Sequence, residues 1–255
     1  MAGRGLISDE YQNVLCKMGE HIVYLDGLDQ DSSWVIAREP LHSAADNYVI
    51  RRACGNASNA KTGKGPGLSF ALKAHRLLKN ASLIGPDFQI GLIPTAVGGS
   101  RIEYWRPGAV LFNRLIAQVR AGVRIASENG RNAKVRGILF YQGESDACQE
   151  DLAEYYRTFL QDFLRGIRRE FGADVPIVIC LISGSEYRLP FKAAVRKAQI
   201  SAPEFCTALN FVDTEDLEFQ DDGLHLTSGS QHILGERLAE CWMDLFKVGV
   251  GGVSA

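Results

Sequence analysis

The chain has 255 residues, 46% hydrophobic and 23% charged, an ordinary globular composition that excludes a disordered, collagen-like or coiled-coil description of the whole. Its 28 Lys and Arg against 30 Asp and Glu leave a formal net charge of -2, so there is no global electrostatic case for nucleic acid or for an anionic membrane surface. No uncharged apolar run reaches the ~20 residues that a membrane-spanning helix needs.

In chain order, His21-Ile22-Val23-Tyr24-Leu25 predicts a short strand ending at the turn pair Asp26-Gly27. The Gly, Asn and Lys-rich stretch 55–67 predicts a surface loop. A helix follows over 67–78, with Leu68, Ala71, Leu72, His75 and Leu78 on one face. Residues 89–94 read as a buried strand. Residues 110–125 read as a helix, with Leu111, Leu115, Ile116, Val119 and Val123 apolar. A strand over 135–141 and a helix over 151–171 come next, the helix repeating Tyr155, Phe159, Phe163 and Ile167. The β-branched run 176–182 is the strongest strand, followed by a helix over 191–200 and a strand over 208–212. The last helix covers 228–246, with Ile233, Leu234, Leu238 and Trp242 apolar. Strand and helix in alternation predict an α/β fold with a mainly parallel sheet and helices on both faces. No repeat or linker divides the chain, so residues 1–255 are expected to form a single domain.

Cys16, Cys54, Cys148, Cys180, Cys206 and Cys241 form no C-x-x-C pair, which leaves a zinc or thioredoxin-type site without support and predicts free buried thiols. The first residues carry no charged-then-apolar signal peptide. Asn56-Ala57-Ser58 and Asn80-Ala81-Ser82 are glycosylation sequons, which matter only in a secreted protein.

In open parallel sheets the functional residues gather at the carboxyl ends of the strands. Three polar, Gly-containing loops stand there: 96–101 with Gly98-Gly99, 142–146 with Gln142-Gly143-Glu144-Ser145-Asp146, and the loop ending Asp222-Gly223-Leu224-His225. An Asp three residues before a His can fix the imidazole tautomer while the other ring nitrogen acts as base; the same spacing also fits a plain turn. Gly98-Gly99 can present unobstructed backbone N–H groups to an oxyanion, or simply turn the chain. Gln142 offers an amide donor to the same oxyanion or to a strand end. Glu144 is expected to brace the neighbouring loops. Trp105, with Tyr104 and Arg106, can stack on a sugar ring or pack inside. Gly63-Lys64-Gly65-Pro66-Gly67 opens a helix but matches neither nucleotide-binding glycine pattern. His42, His75 and His232 lack metal-ligand spacing.

Together, Gly98-Gly99-Ser100, the 142–146 block and Asp222-Gly223-Leu224-His225, supported by Glu39-Pro40-Leu41-His42 and residues 65–71, resemble the carbohydrate acetylesterase branch of the SGNH (GDSL-like) hydrolases, which includes sialate O-acetylesterase-like and plant carbohydrate esterase proteins. The resemblance spans essentially the whole chain. It implies a flavodoxin-like three-layer α/β/α sandwich and hydrolysis of O-acetyl groups on carbohydrate by a serine nucleophile, with no metal or organic cofactor. Carried over, His225 is the general base, Asp222 orients it, and Gln142 with a Gly98-Gly99 amide lines the oxyanion hole.

In that family the nucleophile lies in a Gly-Gln-Ser-Asn motif that usually continues Met-Ala-Gly-Arg-Gly. This sequence begins Met1-Ala2-Gly3-Arg4-Gly5, so the resemblance places the serine two residues ahead of Met1 and the first central strand with it. Ser69, Ser100 and Ser145 belong to other blocks. Two expectations follow: an esterase represented without its nucleophile, or a catalytically inactive carbohydrate-binding or interaction paralogue on the same fold. Strands 89–94 and 135–141 are then expected to stand apart, flanking the position of the absent strand.

Overall fold

A computed structural model describes residues 21–27, 32–42 and 62–251. The Met1–Gly5 run, Cys16, Cys54 and the Asn56 sequon lie outside these described residues. The chain falls into two compact units, the first built from residues up to Gly98 with Leu115–Lys134 and Leu226–Glu240, the second from Gly99–Arg114, Val135–His225 and the residues from Cys241 onward.

The first unit holds β1 (Ile22–Asp26), β2 (Ser33–Ile36), β3 (Ile90–Leu92) and α1 (Gly67–Asn80), with most of α2 (Val110–Glu128) and the first half of α5 (Ser228–Gly251). Its sheet has the order β2-β1-β3. β1 runs antiparallel to β2, with Val23 opposite Ile36, and parallel to β3, with Tyr24 opposite Leu92. β2 had no counterpart in the sequence reading. It is secured through Trp34, whose Nε1 donates to the Gly122 carbonyl of α2 at 3.0 Å. The indole lies against Gly91 and Gly122, where an added Cβ would stand 2.8 Å and 3.1 Å from the ring. α1 buries Leu68, Ala71, Ala74, His75 and Leu78, the expected stripe except that Leu72 is half-buried.

α5 meets the first turn of α1 almost backbone to backbone. A Cβ at Gly235 would lie 2.5 Å from the Pro66 carbonyl oxygen and 2.8 Å from the Phe70 backbone nitrogen. Backbone cannot step aside as a side chain can, so Gly235→Ala is expected to lower stability by about 1–3 kcal/mol or more. Gly249→Ala is the control, since its Cβ would meet only the Asp174 carbonyl at 3.8 Å and alanine favours the helix. Thermal melts of the two variants should move in opposite directions.

The second unit contains β4 (Ile138–Phe140), β5 (Ile177–Cys180), β6 (Leu209–Val212), α3 (Glu150–Phe171) and α4 (Lys192–Ile200). β4, β5 and β6 pair in parallel in that order, with Phe140 opposite Ile179 and Cys180 opposite Val212. β5 is buried along its whole length, as its unbroken apolar run requires. β4 is shorter than the predicted 135–141, and ahead of it Trp242 Nε1 donates to the Arg136 carbonyl at 2.8 Å. α3 buries Ala153, Tyr156, Leu160, Phe163, Leu164 and Ile167. Of the expected stripe, Tyr155 instead faces outward and stacks on Phe159 at 6.1 Å. A strict four-residue repeat drifts around a 3.6-residue helix, so Tyr155 and Ile167 do not share a face. Under the sheet, Phe163 stacks on Phe140 at 4.4 Å and meets Trp105 and Phe112 edge-on.

This is an α/β fold in which, among the described residues, three of the four strand pairings are parallel. Among the described residues β3 pairs with β1, β4 pairs with β5, and β3 and β4 are not paired with each other. Cys148, Cys180, Cys206 and Cys241 are free, with Cys148 exposed rather than buried. No helix among the described residues is long and apolar enough to cross a membrane.

Candidate active site

The carboxyl ends of β4, β5 and β6 are stitched together by side chains. Thr214, just past β6, donates its Oγ1 to the Leu181 carbonyl at 2.7 Å, and Ser183 Oγ donates to the Thr214 carbonyl at 3.0 Å. Tyr141, just past β4, places its hydroxyl 3.4 Å from Thr214 Oγ1, and burial pushes that phenol above its ordinary range. From α4, Arg196 grips Asp213 with both terminal nitrogens, at 3.1 and 2.8 Å. This pairing is the main reason the Asp213 carboxyl is held below its usual value.

Beyond this platform Asp222 and His225 face each other. His225 Nδ1 lies 2.5 Å from Asp222 Oδ2, while Asp222 Oδ1 accepts the backbone N–H groups of Leu224 and His225, both at 2.9 Å. Partial burial raises the Asp222 carboxyl, but the His225 and backbone hydrogen bonds outweigh it and hold the group at about 2. Asp222 is therefore a carboxylate at neutral pH, the form needed to stabilise an imidazolium. Among the described residues no group is hydrogen-bonded to His225 Nε2. Gly223, at φ +64, makes the turn between the two residues. Its carbonyl accepts the Ser185 N–H at 2.9 Å, and Arg188 Nε reaches the Asp222 carbonyl at 3.3 Å. The loop after β5 thus supports the Asp222–His225 loop.

Gln142 is buried. Its Nε2 lies 3.0 Å from the Ser100 carbonyl and 2.5 Å from Asp146 Oδ2, and its Oε1 is buried without a partner. Both amide hydrogens therefore have acceptors. Its own carbonyl takes the Tyr156 hydroxyl at 3.0 Å and Gln199 Nε2 at 2.9 Å. Asp146 is the hub of this cluster. Both of its oxygens lie 3.1 Å from the Ile102 N–H, and burial pushes its carboxyl up to about 7. Gly99 (φ +73) leads directly into Ser100, so the 99–100 turn is tied to Gln142. Gly98 closes the first unit and is half-buried.

The Gln142 loop reaches the Asp222 loop through one relay. The Cys148 thiol donates to the Glu144 carbonyl at 3.2 Å and the Arg188 carbonyl at 3.5 Å, and Arg188 holds Asp222. Among the described residues, the Glu144 carboxylate takes its own backbone N–H. Burial raises that carboxyl, and the nearby His225 pulls it down. Trp105 is buried, donating its indole N–H to Ser100 Oγ at 3.0 Å, so it packs rather than offering a sugar platform. The 63–67 loop is engaged by Glu39, whose Oε2 accepts the Gly65 and Leu41 N–H groups at 3.5 and 3.3 Å. His42 Nε2 accepts the Ala96 N–H at 3.2 Å, holding the strand exit that runs toward Gly98.

Residues 1–244 match the family described as carbohydrate esterase, sialic acid-specific acetylesterase. The chain belongs to that family. It is 29% identical over 258 residues to a protein of Arabidopsis thaliana named "Probable carbohydrate esterase", covering 96% of this chain and 87% of that one. The 1.6 Å crystal structure of an Arabidopsis thaliana protein superposes with a TM-score of 0.76 at 27% identity, over 96% of this chain and 94% of the other. A carbohydrate acetylesterase from Xanthomonas citri shares the fold at TM-score 0.62 and 19% identity, over 96% of this chain and 52% of its own. NanS shares it at 0.60 and 14%, over 89% and 88%.

Within this esterase family member, the sequence reading missed Asp146, Cys148 and Arg188. Asp146 ends a block already singled out, four residues after Gln142, which is the spacing of one tight turn. Arg188 stands in the loop at the carboxyl end of β5. The strand-end rule applied to 176–182 points to it directly.

Proposed function

We propose that this chain is the scaffold of a carbohydrate O-acetylesterase in which His225 is the general base and Asp222 its orienting partner. The observation that carries the reading is the Asp222–His225 pair itself, with His225 Nδ1 2.5 Å from Asp222 Oδ2. In the scheme, a serine Oγ attacks the acetyl carbonyl carbon and its proton passes to His225 Nε2. The Asp222 carboxylate stabilises the resulting imidazolium. The carbonyl oxygen becomes an oxyanion that takes hydrogen bonds from Gln142 Nε2, a Gly98-Gly99 amide and the serine's own N–H. To contribute, Gln142 turns one amide hydrogen from Ser100 toward the oxyanion, as catalytic hydrogen bonds often tighten only with substrate bound. Collapse expels the sugar hydroxyl, which takes the proton back from His225, and a water activated by His225 then releases acetate.

The attacking serine in this scheme belongs to a Gly-Gln-Ser-Asn segment, which the 255-residue sequence does not contain. A second reading is a non-catalytic carbohydrate-binding protein on the same fold. One comparison separates the two. The 255-residue chain should hydrolyse p-nitrophenyl acetate little above background. Joining a strand ending Gly-Gln-Ser-Asn ahead of Met1 should produce turnover that His225→Ala abolishes. A folded but inactive extended chain favours the binding protein. Robust activity of the 255-residue chain that survives His225→Ala assigns the chemistry to other groups.

A further inference from the structure

We infer that the Gly143 backbone N–H is a further oxyanion donor of this site. The inference rests on the esterase reading and adds a donor that neither Gln142 nor the Gly98-Gly99 turn supplies. Gly143 is buried. Among the described residues its N–H meets no acceptor. Buried backbone N–H groups in native proteins are nearly always paired, so an orphan at the carboxyl end of a core strand calls for a reason.

The direction of this N–H is fixed from both sides. The Gln142 carbonyl takes the Tyr156 hydroxyl at 3.0 Å and Gln199 Nε2 at 2.9 Å. Gln199 is fully buried, and its Oε1 accepts the Ile182 N–H at 3.0 Å. Its amide thus stands between the exits of β4 and β5, just past the last ladder pair, Phe140 and Ile179. In a planar trans peptide the C=O and the N–H point in opposite directions. With the Gln142 carbonyl turned toward β5, the Gly143 N–H is turned away from it, to the edge of β4 that has no strand partner among the described residues. On the other side, the Gly143 carbonyl accepts the Asp146 and Ala147 N–H groups at 3.1 and 2.9 Å. Both peptides that flank Gly143 are therefore held. Only glycine suits the position, since φ is +136 and a Cβ would stand 2.9 Å from Val195 Cγ1 and 3.1 Å from Ile182 Cγ2.

The next residue, Glu144, carries a carboxyl that the His225 imidazole pulls down, which places the Gly143–Glu144 step on the His225 side of the β4 exit. Both hydrogens of the Gln142 amide are already bound, to Ser100 and Asp146, whereas the Gly143 N–H gives up no bond when it meets an oxyanion. A donor that is desolvated, fixed in direction and unspent gains most as charge builds on the carbonyl oxygen. That is the requirement for lowering a barrier rather than tightening the ground state.

Two measurements test this. In the 255-residue chain, the Gly143 amide proton followed by NMR should move downfield and saturate as acetate is added, because a carboxylate oxygen accepts where the oxyanion would. In the serine-extended chain, glycolic acid in place of Gly143, introduced by nonsense suppression in cell-free translation, exchanges this N–H for an ester oxygen and adds no side chain. Hydrolysis of p-nitrophenyl acetate should then lose about 10²–10³-fold in kcat, the usual size of one oxyanion donor, with KM within about threefold of the parent's. An amide indifferent to acetate, an ester variant whose kcat stays within about tenfold of its parent, or an ester variant that no longer melts cooperatively, which makes the N–H a structural bond, overturns the proposal. No turnover in the extended parent counts against the esterase reading alone, and the acetate titration then decides on Gly143 by itself.

Discussion

Asp222→Asn in the serine-extended chain is expected to lower kcat by about 10⁴-fold, the loss seen for the same change in a serine-protease triad, without unfolding the protein. The geometry explains the split. Asp222 Oδ1 accepts two backbone N–H groups, and an asparagine carbonyl can keep both. Oδ2 faces His225 Nδ1 at 2.5 Å, and there an amide N–H₂ replaces an acceptor with a donor. The imidazole must then accept at Nδ1 and carry its proton on Nε2, the wrong tautomer for taking a proton from serine. Stability at low pH offers an independent check. The Asp222 carboxyl is held at about 2, below the ~3.9 of an unfolded chain. Its contribution is therefore present above that unfolded value and is lost as pH falls through about 2. The asparagine variant has no such group, so its melting temperature should fall less steeply over that acid range. Activity within tenfold of the parent would remove Asp222 from the mechanism.

The elements of this fold were legible because their signals are local. The β5 run announces a buried strand in any context, and α1 and α2 carry stripes that folding did not need to override. β2 was invisible because Ser33-Trp34-Val35-Ile36 is short and depends on distant glycines: Trp34 fits only because Gly91 and Gly122 leave room for the indole. The α3 stripe was misread at Tyr155 because a fourfold repeat imitates helical spacing over two turns and fails over four. The Asp222–His225 contact was legible for a similar reason to the strands, being contained within four consecutive residues. The supporting shell was not, since Asp146–Ile102, Thr214–Leu181 and Cys148–Arg188 join residues more than 30 positions apart. Spacing along the chain carries no information about such pairs.

The polarity of Gln142 shows the same boundary. The sequence offers an amide after a strand and nothing about where its hydrogens go. In the fold they go to Ser100 and Asp146, so the amide must give up the Ser100 bond to serve an oxyanion and keeps Asp146 as its anchor. That places the burden of its orientation on a buried acid, and Asp146 becomes the second position where a single change should have a large effect.

Asp146→Ala is expected to cost about 2–6 kcal/mol, because the Ile102 N–H and the Gln142 amide would each be left buried without an acceptor at about 1–3 kcal/mol apiece. In the extended chain it should also lower kcat by about 10²–10³-fold, the usual size of a lost oxyanion donor, as Gln142 drifts from its position. Asp146→Asn separates the two effects. Asparagine can still accept from Ile102, but its amide opposes Gln142 Nε2 donor to donor, so Gln142 must turn while the core stays filled. The pH dependence of stability distinguishes the variants further. Burial pushes the Asp146 carboxyl up to about 7, opposed by its bonds to Gln142 and Ile102 and assisted by Glu144. The native state therefore keeps a proton that the unfolded chain releases above about 3.9. Stability from this source is full below that value and is lost as pH rises through about 7. Melting temperature in the parent should accordingly fall between about pH 4 and 7. The slope should be shallower in Asp146→Asn without vanishing, since Glu39, also raised to about 7 by burial, remains. An alanine variant as stable and as active as its parent would mean that Asp146 neither supports the 99–102 segment nor positions Gln142.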